Sequence, residues 1–154
     1  FSGYARALGE DLDDLRTDVT RRARTAAGTA FLPDFAPIVA ALTDLEAAGV
    51  AADAAADRII ASGDAGAAAR MSDTLSQVER AFLNPQGLPG RPWFKHQLIG
   101  PGLTTGYAPW PYPALREAVE KKDTAMFAAE LKKVVAAINA GAAKLKQAPA
   151  IAAR

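Results

Sequence analysis

Glu79-Arg80-Ala81-Phe82-Leu83-Asn84-Pro85-Gln86-Gly87-Leu88-Pro89-Gly90-Arg91-Pro92-Trp93-Phe94-Lys95-His96 interrupts a chain that otherwise reads as alanine-rich helix. With its continuation through Gly106-Tyr107-Ala108 to Trp110-Pro111-Tyr112-Pro113, it holds seven of the 10 prolines, both tryptophans and the only histidine. Proline fixes φ and removes a backbone donor, so a regular helix cannot run through such a stretch. A long, rigid, aromatic loop inside a helical domain is a place where function concentrates.

The flanks fix the fold class. Before the loop, Tyr4, Leu8, Leu12, Leu15, Val19, Ala23 and Ala27 recur at three- and four-residue steps and predict a helix from about Ser2 to Thr29. Phe31-Leu32-Pro33-Asp34 breaks it, with Asp34 placed to cap the next helix. Ile38, Leu42, Leu45, Ala48, Ala52, Ala55 and Ile59 carry a second stripe to about Ala61. Gly49 within it marks a kink or a close helix crossing. After Ser62-Gly63-Asp64, a third helix runs from about Ala65 to Leu83, with Met71, Leu75, Val78 and Phe82 inward.

Beyond the loop, Pro113 suits the first position of a short helix to Lys122. Asp123 or Thr124 then caps a last helix to about Gln147, with Phe127, Leu131, Val134, Ile138, Ala142 and Leu145 facing in. Pro149 should end that helix and leave a frayed tail from Ala150. No segment alternates as a strand does. The expected fold is all-α: an antiparallel helical bundle with a long ordered Pro/Gly/aromatic loop between the third and fourth helices.

Composition narrows the function. A chain of 154 residues can bury a core without staples. Its 18 basic and 17 acidic residues nearly cancel, so there is no electrostatic case for nucleic acid or an anionic membrane. No apolar run approaches the roughly 18 residues of a membrane span. Without cysteine, neither a disulfide framework nor a thiolate metal site is possible. The chain opens on Phe1-Ser2-Gly3 rather than on methionine and reads as an excised domain or processed fragment.

The residues do not assemble a catalytic centre. A nucleophilic triad needs a base beside its serine, and only His96 could serve in the usual way. One histidine and scattered helical carboxylates do not make a zinc site, and no glycine loop precedes Lys-Ser/Thr to cradle phosphate. His96 reads first as a loop histidine bonding backbone. Trp93 and Phe94 read as rings that pin the loop to the bundle. Arg91 and Lys95 could pair with a carboxylate, of this chain or another, that the sequence does not name. Tyr107, between Gly106 and Ala108, reads as an accessible loop tyrosine.

The run from Met71 to His96 closely resembles an element of the transferrin receptor-like dimerisation domain, the C-terminal helical domain of the transferrin receptor and glutamate carboxypeptidase II group. In that pattern a helix ends in Glu-Arg-Ala-Phe (here Glu79 to Phe82). It continues through Pro-Gly-Leu-Pro-like residues, Arg-Pro, two aromatics, a base and His (here Arg91 to His96). A Lys-Tyr-Ala stretch follows, matched by Gly106-Tyr107-Ala108, then a short and a long helix. The specific match covers roughly Met71 to Leu115.

The resemblance implies that residues 1–154 form one domain of a zinc exopeptidase of the aminopeptidase/carboxypeptidase superfamily. Two zinc ions and the general base would lie in a separate catalytic domain, with no catalytic residue and no metal ligand in this chain. The domain would build a homodimer, contact the catalytic and protease-associated domains, and close its loop over a peptide substrate. Arg91, Trp93 and His96 would structure that loop, and Tyr107 would touch substrate. In glutamate-cleaving members a Lys-Tyr pair reads the glutamate carboxylates; here Gly106 stands at the Lys position, which favours neutral side chains. Family members act outside the cytosol, implying a periplasmic or secreted parent. The Ala/Arg-rich composition suggests a bacterial source. Two alternatives remain: a stand-alone helical module gripping a peptide or protein, and an amphipathic lipid-binding bundle, which the mostly alanine apolar faces disfavour.

Overall fold

A computed structural model of the chain describes residues 1–25, 31–103 and 108–153, with residues 23–25 described in backbone only. The helices are α1 (Ser2–Thr25), α2 (Ala36–Ser62), α3 (Ala65–Ala81), α4 (Pro113–Lys121), α5 (Thr124–Leu145) and the single turn α6 (Ala148–Ile151). The architecture is the expected helical bundle. The expected continuation of α1 to Thr29, with Ala27, lies outside the described residues.

The apolar stripes become the core. Leu8, Leu12, Leu15 and Val19 of α1 meet Ile38, Leu42 and Leu45 of α2, all buried. α5 lies against α2, α3 and α4 and closes the core with Phe127, Val134, Ile138 and Leu145. Phe31 and Phe35, from the break between α1 and α2, meet Phe127 edge-on at 5.6 and 5.5 Å. Aromatic edges carry positive charge and faces negative charge, which favours this crossing. Only Gly63 and Asp64 link α2 to α3, so the two run antiparallel.

Gly49 is a close crossing. A Cβ there would lie 2.7 Å from the backbone nitrogen of Ser2, so the start of α1 approaches α2 only because the side chain is missing. Beside it, the Ser2 hydroxyl donates to Asp53 at 2.7 Å. Asp64 and Asp123 cap α3 and α5, their carboxylates accepting from Ala67 N and Met126 N at 2.9 and 2.8 Å.

Four expectations are corrected. Phe35, not Asp34, takes the N-cap position of α2; Asp34 instead accepts from Ala36 N at 2.8 Å, the short-range bond of an Asx turn. α3 stops at Ala81 rather than near Leu83, while Phe82 faces the core as expected, with no solvent exposure. The chain beyond Pro149 does not fray through Ile151: Pro149 sits in the first turn of α6, where a missing N–H costs nothing, and Ala148 is buried. Two short strands also form, β1 (Ile99–Pro101) and β2 (Pro109–Pro111). They pair antiparallel with Ile99 opposite Pro111 and Pro101 opposite Pro109. Three residues are too few to show alternation, and three of the six are prolines, which argue against a strand when read from sequence.

Candidate functional site

The loop that follows α3 is a succession of proline turns. Gly87 N donates to Asn84 O at 2.9 Å, Arg91 N to Leu88 O at 3.1 Å, and Phe94 N to Arg91 O at 3.0 Å. Each turn has proline in its second position (Pro85, Pro89, Pro92), where the fixed φ is already the one a turn requires. The middle turn also needs a positive φ at its third position, and Gly90 supplies it at 72°. Cross-links then fold the turns together: Asn84 N to Lys95 O at 2.9 Å, Leu88 N to Phe94 O at 2.8 Å, and Gln97 N to Phe82 O at 2.9 Å.

Arg91 is the hub of this segment. Its Nε donates to Pro101 O at 2.9 Å and its Nη1 to Pro89 O at 3.1 Å. Its Nη2 meets Glu117 Oε1 at 2.5 Å, with side-chain exposures of only 4% and 3%. The same Glu117 oxygen accepts from Leu103 N at 3.2 Å. One buried ion pair thus ties together the proline turns, β1, Leu103 and α4. The expected carboxylate partner of Arg91 is therefore Glu117, on the buried face of α4 beside Ala114 and Ala118. Lys95 directs its Nζ to the Pro85 carbonyl at 2.6 Å.

His96 caps the next bend. Its Nδ1 accepts from Leu98 N at 3.2 Å and Ile99 N at 3.1 Å, which requires a neutral ring protonated at Nε2. Nε2 lies 3.6 Å from Glu79 Oε2, and the ring crosses Phe82 edge-on at 5.8 Å. Burial pulls the imidazole pKa below its ordinary value, opposed by the Glu79 charge.

The expectation that Trp93 and Phe94 pin the loop is not met. Trp93 occupies the third position of the Arg91–Phe94 turn, and 69% of it is exposed; Phe94 is 38% exposed. Their ring centroids lie 6.2 Å apart with the planes tilted by 49°. The aromatic that does pin the segment is Tyr112, fully buried, whose hydroxyl donates to Leu8 O of α1 at 2.7 Å. Desolvation pushes its phenol pKa up, so the hydroxyl keeps the proton this bond uses. Arg116 donates to Pro111 O at 2.8 Å and lies over Trp110 at 5.8 Å.

Trp93, Phe94, Gly100, Pro101, Leu103 and Pro109 surround an open cavity of about 530 Å³, with Arg91 and Gly90 in its wall. Tyr107 and Gly106, the expected substrate-reading positions, lie outside the described residues. Among the described residues, no group of three or more histidines or carboxylates could hold a metal ion. No helix among them is long and apolar enough to cross a membrane.

The described residues form a helical bundle that carries a proline-turn loop and a small hairpin, locked by a buried Arg-Glu pair. The match to the transferrin receptor-like dimerisation domain covers residues 33–146, and the chain belongs to that family. It is similar, at 44% identity over 41 residues, to a protein of Arthroderma benhamiae named a probable glutamate carboxypeptidase. That alignment covers 27% of this chain and 6% of the relative. It is 32% identical over 65 residues to an inactive zinc metalloprotease of Schizosaccharomyces pombe, covering 42% of this chain and 8% of the relative. A probable glutamate carboxypeptidase of Arabidopsis thaliana is 34% identical over 50 residues, covering 32% and 7%. The chain thus matches less than a tenth of the length of these relatives.

Two consequences can be measured on this chain. Glu117→Ala leaves the Arg91 charge buried and unpaired, and should lower the unfolding free energy by about 3–5 kcal/mol. The double variant Arg91→Met/Glu117→Leu removes both charges and should recover most of that loss in urea denaturation. His96 gives a pH dependence. Its native pKa is lowered, so between that value and the ordinary 6.5 the unfolded chain holds more protons. Its contribution is complete above about 6.5 and is lost as pH falls through the native pKa. Denaturation across a pH series should show stability falling on the acid side, with a shallower slope in His96→Ala.

Proposed function

We propose that residues 1–154 act as one non-catalytic domain of a zinc-dependent exopeptidase of the glutamate carboxypeptidase type, joining two copies and lining the substrate pocket. The observation that carries this reading is the locked loop. Arg91 donates to the Pro101 carbonyl and Glu117 accepts from the Leu103 amide on one side of the segment that contains Tyr107, and β1 pairs with β2 on the other. Bracing on both sides of that segment supports a pocket-lining role for the loop.

The names of the relatives, glutamate carboxypeptidases and a zinc metalloprotease, support a peptidase parent. Two zinc ions and the general base would belong to a separate catalytic domain of the parent, as the family resemblance implies. The domain's own share is positioning: Tyr107 would hydrogen-bond the substrate's terminal carboxylate from the loop. Membership in a dimerisation family implies self-association. The groove between α2 and α3, where Ile60 is 76% exposed, offers apolar surface for it. A bacterial parent acting in the periplasm or after secretion completes the proposal, on family resemblance and composition.

Tyr107→Phe in the full-length parent tests it. Losing one hydrogen bond to a charged group should weaken substrate binding, lowering kcat/KM about tenfold, with the melting temperature unchanged. A variant with wild-type kcat and KM would remove Tyr107 from the site.

A further inference from the structure

We infer that His96 is a proton-operated clasp: its neutral ring holds the bend that leads into β1, and its imidazolium lets that bend go and turns to the end of α3. The inference goes beyond the pocket-lining reading and does not depend on it. Nδ1 accepts from two successive backbone donors, Leu98 N at 3.2 Å and Ile99 N at 3.1 Å. A side chain bonded by the backbone two residues on is the pattern of an Asx turn, which asparagine and aspartate make with a carbonyl or carboxylate oxygen. Here a titratable nitrogen takes the place of that oxygen. A ring protonated on both nitrogens has two donors and no acceptor, so protonation sets a third N–H against the two it received. The clasp holds the entry to the hairpin: Leu98 has no solvent exposure, its carbonyl accepts from Tyr112 N at 2.8 Å, and Ile99 pairs with Pro111.

The charged ring has a partner within a small swing. Nε2 lies 3.6 Å from Glu79 Oε2 in the last turn of α3, just beyond hydrogen-bond reach. The His96 side chain is 26% exposed, so water can deliver the proton. Among the described residues, Glu79 is the charged group whose field bears on the ring; burial favours the neutral form and Glu79 the charged one. Tyr4 of α1 also meets Phe82, the ring that His96 crosses, and burial pushes its phenol up to about 12, so it stays neutral in the range where His96 titrates. Lys95, the preceding residue, directs its ammonium to the Pro85 carbonyl. With burial the larger influence, the transition falls on the acid side of 6.5: the clasp is closed above it and open below.

The chain has a single histidine, so NMR follows its titration without overlap. Hydrogen exchange at the Leu98 and Ile99 amides, corrected for the intrinsic rate, is read from about pH 7.5 to about pH 5. Their protection should fall about tenfold as the imidazole titrates. It should not respond to urea below the unfolding transition, which marks a local opening rather than a global one. His96→Asn keeps an acceptor at the same place and cannot be protonated in this range, so its protection should stay level across the series. Glu79→Gln removes the charge that favours the imidazolium and should move the fall to lower pH. Protection that holds while the imidazole titrates would overturn the inference. So would a fall that dilute urea deepens, an equal fall in His96→Asn, or a fall at unchanged pH in Glu79→Gln.

Discussion

The buried contact between Arg91 and Glu117 is the constraint on which the rest of the loop depends. Two charged side chains, each at most 4% exposed, have been taken out of water inside a small domain. Such a pair contributes little net stability compared with apolar residues of the same size, because desolvation offsets most of the attraction. What it does supply is position. A guanidinium presents its donors in a fixed planar fork, and here that fork reaches Pro89 O, Pro101 O and Glu117 at once. The turns and the hairpin have few alternative placements that would leave neither charge unpaired.

The helices give that pair something rigid to act against. α4 carries Glu117 with Ala114, Leu115 and Ala118 buried around it, and α4 lies on α5 at the centre of the bundle. Tyr112 fastens the other end of the hairpin to α1 through Leu8 O. Phe82 sinks into the core as α3 ends, and its carbonyl receives Gln97 N, which anchors the return of the loop. The segment is thus held at three points by different physics: a charge pair, a buried hydroxyl and a backbone bond beside an apolar anchor. Trp93 and Phe94 are left facing solvent, which is unusual for rings this large and gives the cavity its apolar wall.

Helical periodicity made the bundle legible. Leu8, Leu12, Leu15 and Val19, or Ile38, Leu42 and Leu45, can face one core only if the chain is helical. Asp123 was readable as a cap for the same local reason. The loop was less legible because its order comes from long-range partners. Arg91 could be read as needing a carboxylate, but Glu117 lies 26 residues on, on another element. A signal was present: Glu117 occupies a position between Ala114 and Ala118 that the helical period turns inward, and a charge there needs a partner. The three-residue strands left no periodic trace, and their prolines spoke against them. Aromatic residues are usually buried, but the place of Trp93 at the tip of a tight turn leaves it in solvent.

Native-state hydrogen exchange on Arg91→Met/Glu117→Leu tests the central claim most directly. The account predicts that amides of the hairpin, Ile99 among them, exchange much faster than in wild type while the core amides of α2 and α5 keep their protection. Hairpin amides as protected as in the wild type would contradict it, since the charge pair would then not be what holds the loop in place.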